Sequence, residues 1–375
     1  MEPLRPTDPV RVGEFELAAR LGQGGMGEVY LGVSPTGDKV AVKMIRSDLV
    51  SEEQVRQRFA AEVDSLKMVY GARVARFEGA DLDAEPAWLA TEYVPGRTLY
   101  QHLAAEGPLE PRLAAMLGAT LAEGLGKIHE VGLLHRDLKP HNILLGPDGP
   151  KLIDFGLAVL RERDHQLTES GMVVGTIAYM SPEQARGERD LTPAADVYAL
   201  GAILMSTLTG RSLYAPARGY ALRDRIIDPH DHPDMGGVPL QLAPLLGAML
   251  AFDPSARPVV PVVLHRLLSV ATADGATVER MRQLLVADTY VEPEPIVVPA
   301  RAADPRADDS DLETGARPVS VPPASSPARS ASPHASHTAP TGAATAAGAA
   351  TAPPPADVAW LVEDLRHRYA RTAPL

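Results

Sequence analysis

The sequence predicts an α+β protein with two lobes, a small β-sheet lobe plus one helix followed by a larger helical lobe. Apolar residues alternate at Phe15, Leu17, Ala19 and Leu21, the period of two that is typical of a strand. From Pro111 onward, apolar residues recur mostly at helical spacing. Strands that come first and helices that come later indicate an α+β arrangement.

Two further strands are predicted after the first. Val29, Leu31 and Val33 alternate to give the second strand. The run KVAVKMI at 39–45 gives the third, and the turn residues SPTGD precede it. The three strands together make the predicted sheet of the small lobe.

One helix is predicted to accompany this sheet, over residues 51–69. Ser51 and Gln54 have the spacing of a capping box, and apolar residues follow at helical intervals. Glu62 falls in the apolar stripe of this helix, where a carboxylate needs a partner because its desolvation is costly. Lys43 on the third strand is the expected partner. The alternative is that Glu62 lies at the edge of the stripe and is solvated.

The composition excludes several classes of function. The chain has 375 residues, of which 45% are hydrophobic, and it has no cysteine, which excludes disulfide frameworks, thiolate metal sites and cysteine nucleophiles. The net charge of -12 argues against nucleic-acid binding, which calls for a basic surface. The first residues lack the apolar stretch of a secretory signal, and no apolar run is long enough for a membrane span. A cytoplasmic protein is therefore expected.

The composition changes near the end of the helical lobe. Residues 273–290 are predicted to form an extra helix at the domain boundary. Residues 291–355 are rich in Pro, Ala, Ser and Thr, and we expect a disordered Pro/Ala-rich tail there, because such a segment cannot bury enough apolar surface to offset its ordering entropy. Apolar residues recur at helical spacing in 356–370, which predicts a short amphipathic helix.

A glycine-rich stretch, GQGGMGEV at 22–29, is the first motif with a chemical meaning. Its glycines expose backbone N–H groups that can cover an anion. In dinucleotide-binding folds such glycines lead into a helix, whereas here the sequence continues as an alternating strand. A merely flexible hairpin is the alternative interpretation of this motif alone.

Two motifs in the helical half give the strongest signal. HRDLKPHNILL at 135–145 and KLIDFG at 151–156 supply Asp137, Asn142 and Asp154. These oxygen ligands or bases suit Mg²⁺ and phosphate rather than zinc. Lysine is also scarce, since only six of the 36 basic residues are lysines. Two of the six, Lys43 on the third strand and Lys139 two residues after Asp137, stand where a compact ammonium is chemically useful. The six are Lys39, Lys43, Lys67, Lys127, Lys139 and Lys151.

With these motifs in this order, the sequence resembles the protein kinase superfamily, specifically the bacterial eukaryotic-like serine/threonine kinases. The resemblance covers about residues 11–272 and implies a bilobal protein kinase fold, with an N-lobe at 15–95 and a C-lobe at 96–272. It implies ATP and Mg²⁺ as cofactors and Ser or Thr of protein substrates as acceptors. A catalytically silent kinase-fold scaffold and a small-molecule kinase are the alternatives.

The resemblance assigns an ATP site. The glycines would cover the phosphates, and Lys43, held by Glu62, would contact the α- and β-phosphates. Glu92 and Val94 of the TEYV hinge would offer backbone hydrogen bonds to the base. The residues expected around ATP are Leu21, Gly22, Gly24, Gly27, Val29, Ala41, Lys43, Glu62, Thr91, Glu92, Val94 and Leu144.

The resemblance also assigns the chemistry. Asp137 would accept or orient the proton of the substrate hydroxyl, and Lys139 would neutralise the transferring γ-phosphoryl group. Asn142 and Asp154 would hold Mg²⁺. Thr176 would shape the substrate site, and its pairing with Lys139 is the serine/threonine-kinase pattern.

Regulation is expected in the segment between DFG and SPE. Thr168 and Ser170 lie where related kinases phosphorylate themselves, and a phosphate there would dock on Arg136. Self-association for trans-autophosphorylation is a possible consequence. The helix at 356–370 is expected to dock on a partner or on the kinase lobe, and an unpatterned terminus is the alternative.

Three structural roles follow from the same resemblance. Glu183 of SPE is expected to pair with Arg257. Asp196 is expected to be buried and to support the catalytic loop. His135 is expected to pack against Phe155 and to have no chemical role.

Overall fold

The computed structural model describes residues 1–155 and 177–294. Within them, six strands form an antiparallel sheet in the order β1-β2-β3-β4-β6-β5. The strands are β1 (Arg11–Val12), β2 (Phe15–Gly24), β3 (Gly27–Val33), β4 (Lys39–Ile45), β5 (Phe77–Asp81) and β6 (Trp88–Glu92). The three predicted strands are confirmed as β2, β3 and β4. The prediction succeeds because alternating apolar residues mark a strand that buries one face.

The two faces of this sheet have different tasks. Val29 lies opposite Lys43, and Ala41 lies opposite Thr91, so these side chains share one face. The other face packs an apolar cluster in which Phe15 meets Trp88 edge to face at 5.8 Å. Its buried members are Val12, Phe15, Leu17, Tyr30, Val40, Val42, Trp88 and Ala90. A sheet anchored on one face can thus present functional groups on the other.

The first ten residues belong to the same lobe. The backbone of Glu2 exchanges hydrogen bonds with that of Arg20, at 3.0 and 2.8 Å. The carboxylate of Asp8 accepts two hydrogen bonds from the Arg20 guanidinium, at 2.7 and 3.0 Å. The same guanidinium also contacts Glu28 and Tyr30. The terminal segment therefore braces the two strands that flank the glycine turn, a contact that the sequence motifs do not reveal.

The predicted helix of the small lobe is α1 (Glu53–Leu66), but it does not begin with a capping box. Glu52 is the N-cap residue and makes no side-chain cap hydrogen bond. The hydroxyl of Ser51 donates instead to the carbonyl of Asp48, at 3.1 Å. The sequence prediction fails because the preceding 3₁₀ turn captures that hydroxyl. The buried face of α1 comprises Val55, Phe59, Val63 and Leu66.

Helices dominate the second lobe. They are α2 (Leu99–Glu106), α3 (Pro111–Glu130), α4 (Pro182–Ala185), α5 (Pro193–Thr209), α6 (Gly219–Ile227), α7 (Ala243–Met249), α8 (Val260–Ala271) and α9 (Val278–Thr289). A small sheet joins them, formed by β7 (Arg97–Thr98), β8 (Ile143–Gly146) and β9 (Gly149–Leu152). Helix α5 is buried nearly all round and packs against α3, which marks it as the central helix of the lobe. Within 1–155 and 177–294, none of the helices combines the length and apolarity that crossing a bilayer requires.

A buried ion pair fixes the lower part of this lobe. The guanidinium of Arg257 binds the carboxylate of Glu183 in a bidentate manner, at 2.6 and 2.9 Å, as predicted. The side chains are 0% and 4% exposed. Burial alone would raise the pKa of Glu183, but Arg257 lowers it, so the carboxylate is ionised at neutral pH. Removing one partner of such a pair costs about 3–5 kcal/mol.

Helix α9 lies within the segment at 273–290 where an extra helix is expected. It packs against α3, β8 and β9, with Met281 and Leu285 buried. Residues 156–176 and 295–375 lie outside the described residues. The predicted linker at 291–355, of which only the first four residues are described, and the predicted helix at 356–370 therefore stay predictions.

Candidate active site

The loop at 135–142 brings three of the predicted residues together. Nζ of Lys139 lies 2.9 Å from Oδ2 of Asp137. The side-chain amide of Asn142 donates to Oδ2 and to the backbone carbonyl of Asp137, each at 2.8 Å. Both donors of the amide nitrogen are thereby engaged, which leaves the amide oxygen as the acceptor end of Asn142. A carboxylate, an ammonium and an amide oxygen thus share one small site.

A buried carboxylate holds this loop in place. Asp196, at the start of α5 and 1% exposed, accepts the backbone N–H groups of His135 and Arg136, each at 2.9 Å. Nε2 of His129 lies 2.8 Å from the same carboxylate. Burial alone would raise the pKa of Asp196, but these hydrogen bonds and histidine charges lower it. The predicted supporting role of Asp196 is confirmed.

Two backbone positions near the site are strained. Arg136 and Asp154 have φ of 59° and 58°, in the left-handed region that residues other than glycine rarely adopt. The carbonyl of Arg136 accepts a hydrogen bond from the side chain of Gln184, at 2.9 Å. Backbone strain of this kind is typical of positions that orient functional groups.

His135 packs against Phe155 as predicted, with ring centroids 6.4 Å apart.

Lys43 pairs with a different carboxylate from the one expected. Its Nζ lies 2.9 Å from Oδ2 of Asp154, with side chains 12% and 37% exposed. Oε1 of Glu62 lies 3.9 Å from Nη1 of Arg136. The predicted pair of Lys43 with Glu62 is therefore not formed in this structure. Glu62 is correctly predicted to face inward, but the sequence could not tell which cation the helix would bring near it.

The charges of this site favour binding of a cation and of an anionic group. Burial alone would raise the pKa of Asp154, but the neighbouring Lys43 lowers it, so the carboxylate is charged at neutral pH. Burial lowers the pKa of Lys139, and the charge of Asp154 works against that shift. The site thus holds two lysine–carboxylate pairs, Lys43 with Asp154 and Lys139 with Asp137. Carboxylates suit a metal ion, and lysines suit phosphate oxygens.

The glycine motif forms a tight hairpin over this face of the sheet. Gly24 pairs with Gly27, so Gly25 and Met26 are the two turn residues. A Cβ atom at Gly22 or Gly24 would meet nothing within 4 Å. Gly27 has a φ of 145°, and a Cβ there would lie 1.8 Å from the carbonyl oxygen of Met44. The first two glycines thus leave open space, whereas the third permits a close backbone approach.

The residues predicted around the base come from the small sheet, the segment after it and β8. Val29, Ala41 and Thr91 share the inner face of the sheet, and all three are half-buried. Leu21 stands at a register shift between β2 and β3, where a bulge re-aims the side chain. Val94 comes from the segment after β6 and lies against Gly146 at the end of β8, the strand that carries Leu144.

The side chain of Glu92 makes a contact that the sequence motifs did not predict. Its carboxylate pairs with Nζ of Lys151 on β9, and the two side chains are 29% and 13% exposed. The rarity of lysine is the one signal that could have found this pair. Three of the six lysines, Lys43, Lys139 and Lys151, lie around this cleft.

Comparison with known proteins agrees with this geometry. Residues 15–268 match the family model described as the protein kinase domain. The chain belongs to the protein kinase family. The matched range ends within α8, so α9 of this kinase lies beyond it.

Several curated relatives of this chain are bacterial. It is 42% identical over 275 residues to a probable serine/threonine-protein kinase, PkwA, of Thermomonospora curvata, covering 73% of this chain and 36% of that protein. It is 40% identical over 258 residues to the serine/threonine-protein kinase AfsK of Streptomyces coelicolor, covering 69% and 32%. It is 34% identical over 201 residues to the serine/threonine-protein kinase PrkC of Bacillus subtilis, covering 53% and 31%. The chain spans about a third of the length of these relatives.

The residues of this kinase fit the cofactors that the family uses, which are ATP and generally Mg²⁺. The oxygen of Asn142 and the ionised Asp154 are hard ligands of the kind that Mg²⁺ takes. The open space at Gly22 and Gly24 is suited to a phosphate chain. Thr168, Ser170 and Thr176 lie outside the described residues, so their roles stay predictions.

The two kinds of glycine predict different responses to a methyl group. Gly27→Ala is expected to weaken ATP binding on the order of tenfold, because the added Cβ would collide with the Met44 carbonyl in a backbone conformation that alanine rarely adopts. Gly24→Ala is the comparison and is expected to weaken ATP binding less, since its Cβ meets no protein atom and takes up only part of the space proposed for the phosphates. Isothermal titration calorimetry with ATP compares them. Equal losses in the two variants would contradict this interpretation.

Proposed function

We propose that this chain is an ATP-dependent serine/threonine protein kinase, which transfers the γ-phosphoryl group of Mg-ATP to Ser or Thr of protein substrates. The arrangement of five side chains carries the proposal. Lys139 and Asn142 both contact the carboxylate of Asp137 on one loop. The ion pair of Lys43 with Asp154 joins the small lobe to the large lobe near that loop. The printed names of the curated relatives support the same activity.

Each residue has a defined task in this mechanism. Bound Mg-ATP supplies the phosphoryl group that is transferred. Asp137 would accept the proton of the substrate hydroxyl while the hydroxyl oxygen forms its bond to the γ-phosphorus and the bond from that phosphorus to the bridging oxygen breaks, with ADP as the leaving group. Lys139 would stabilise the charge that develops on the transferred group. Asn142 and Asp154 would hold the metal, and Lys43 would orient the phosphates. Most of the catalysis is positioning and electrostatic stabilisation.

Two features favour a protein hydroxyl as the acceptor. Lys139 beside Asp137 follows the serine/threonine pattern, and the SPE segment, which resembles that of protein kinases, is held by the ion pair of Glu183 with Arg257. The second candidate is a catalytically silent kinase-fold scaffold. No observation among the described residues favours it: Lys43 pairs with Asp154 rather than with Glu62, and Asp137, Lys139 and Asn142 make the contacts given above.

Transfer of labelled γ-phosphate to the kinase itself and to a generic basic protein tests the proposal. Asp137→Asn removes the proton acceptor and is expected to lower the rate about 10²–10⁴-fold. Lys43→Met removes the phosphate-orienting ammonium and is expected to abolish measurable transfer. Lys67→Met, at the exposed end of α1, is the matched control and is expected to be fully active. Undiminished transfer in both Asp137→Asn and Lys43→Met would contradict the proposed kinase activity. If the wild type binds ATP but transfers no phosphate, the catalytically silent scaffold is supported instead.

We further propose that phosphorylation of Thr168 or Ser170 activates the kinase by docking on Arg136. Nε of Arg136 is buried and has no hydrogen-bond partner among the described residues. Its backbone is held on both sides, by Asp196 and by Gln184. A phosphate there would form charge-assisted hydrogen bonds with a guanidinium that is already positioned.

Removing both hydroxyls tests this switch. The double variant Thr168→Ala, Ser170→Ala is expected to lose most of its kinase activity while ATP binding persists, because no phosphate can then dock on Arg136. Ser269→Ala, on the exposed side of α8, is the control and is expected to retain full activity. The measurements are kcat with a peptide substrate and the dissociation constant for ATP. Full activity in the double variant would refute the switch. Phosphorylation of the Asp137→Asn variant by wild type would show the trans reaction that self-association predicts.

The predicted tail and location complete the proposal. We propose a cytoplasmic kinase whose helix at 356–370 docks on a partner or on the kinase lobe. Deletion of residues 291–375 is expected to change activity, partners or oligomeric state, which kinetics, affinity capture and light scattering measure. No change in any of the three would favour an unpatterned terminus.

A further inference from the structure

Three separate segments of the chain meet at Glu92, the last residue of β6. The N–H of Glu92 donates to the carbonyl of Arg76, at 2.8 Å. The N–H of Arg76 donates in return to Oε2 of Glu92, at 3.3 Å. Nζ of Lys151 on β9 donates to Oε1 of the same carboxylate. We call Arg76, Glu92 and Lys151 the hinge clamp, since Glu92 begins the connection between the lobes.

The same short segment that holds Glu92 also holds β9. The N–H of Leu152 donates to the carbonyl of Arg73, and the N–H of Ala75 donates to the carbonyl of Leu152, each at 2.9 Å. Lys151 immediately precedes Leu152. Residues 73–76 therefore contact both the hinge and β9. The ion pair of Lys151 with Glu92 links the hinge and β9 directly. Without it, the contact with the Arg76 N–H, at 3.3 Å, would be the one remaining hydrogen bond of the Glu92 carboxylate among the described residues.

The side chains of the clamp lie next to the proposed base-binding groups without belonging to them, since Glu92 would meet the base through its backbone. Glu92 is opposite Val40 in register, whereas its neighbour Thr91 is opposite Ala41, so the side chain of Glu92 leaves the face that lines the cleft. Lys151 is opposite Leu144 on the β8–β9 hairpin. The carboxylate of Glu92 thus lies on the opposite side of the hinge from the groups that line the cleft. It would hold the hinge backbone, whose hydrogen-bonding groups would meet the base.

Burial makes this ion pair stronger than an ordinary surface pair. The side chain of Lys151 is 13% exposed and that of Glu92 is 29% exposed. The pair of Lys127 with Glu130 on α3 has exposures of 45% and 63% and sits outside the cleft. Exposed pairs contribute little because water and salt screen them, while a desolvated, charge-assisted hydrogen bond contributes more.

We propose that Lys151 is a positioning residue for ATP, which acts through the carboxylate of Glu92 to fix the hinge backbone. This inference rests on the proposed kinase function. The backbone groups of Glu92 and Val94 are pre-organised for the base only while the clamp is closed, and pre-organisation lowers the free-energy cost of binding. The clamp affects nucleotide affinity and leaves the phosphoryl-transfer residues in place.

Replacing Lys151 by Met tests the inference, because Met keeps the apolar stem and removes the charge. The KM and the calorimetric dissociation constant for ATP are expected to rise on the order of tenfold, about 1.4 kcal/mol. The KM for a peptide substrate is expected to stay within about twofold, and kcat to change far less than KM for ATP. Lys151→Arg is expected to restore most of the affinity, since it retains the charge.

Three further variants make the result specific. Glu92→Gln is expected to reproduce the loss, and the double variant with Lys151→Met is expected to add little to either single change. Lys127→Met removes the matched exposed pair and is expected to leave the KM for ATP unchanged. Circular dichroism establishes that each variant is folded, and Glu92→Gln, which preserves shape, serves if Lys151→Met does not fold.

The outcomes separate this inference from the proposed function. If the wild type transfers phosphate but Lys151→Met and Glu92→Gln bind ATP like Lys127→Met, the clamp has no role in binding and the inference is overturned. A fall in kcat with no change in ATP affinity also overturns it. If the wild type transfers no phosphate, the proposed function fails, and the dissociation constants for ATP alone then decide the role of Lys151.

Discussion

The loop that carries Asp137 depends on the hydrogen bonds that the buried carboxylate of Asp196 accepts. This carboxylate accepts the backbone N–H groups of His135 and Arg136 and lies beside His129, and Asp196 is 1% exposed. A buried charge is tolerated only when hydrogen bonds replace its water shell. Those bonds fix the backbone from which Asp137 projects. The most buried helix of the large lobe thus determines where the proposed proton acceptor lies.

The cleft itself depends on charges that come from distant parts of the chain. Lys43 from the small sheet reaches Asp154 of the large lobe, while Glu62 of α1 lies near Arg136. Lys139 lies beside Asp137 on the same loop. Each charge has an opposite neighbour, which lets a partly buried site hold several ions without an uncompensated one. The hinge clamp extends this arrangement to the back of the cleft.

The sequence predicted the strands well and the partners less well. β4 matches the run at 39–45, since apolar alternation reports directly on which face is buried. The capping box at Ser51 failed because its hydroxyl bonds to Asp48 in a neighbouring turn. The same limit applies to Glu62, whose inward position was predictable while its neighbour was not. Choice of partner depends on atomic distances that periodicity does not contain.

The sequence by itself determined the family, the two-lobed α+β architecture and the residues proposed for catalysis, because glycine spacing and the HRD and DFG motifs are local patterns. The tertiary structure decided which groups meet. It paired Lys43 with Asp154 rather than with Glu62, braced the glycine hairpin with Asp8, and placed Lys151 against Glu92. These contacts join residues far apart in the chain, and only packing brings them within hydrogen-bonding distance.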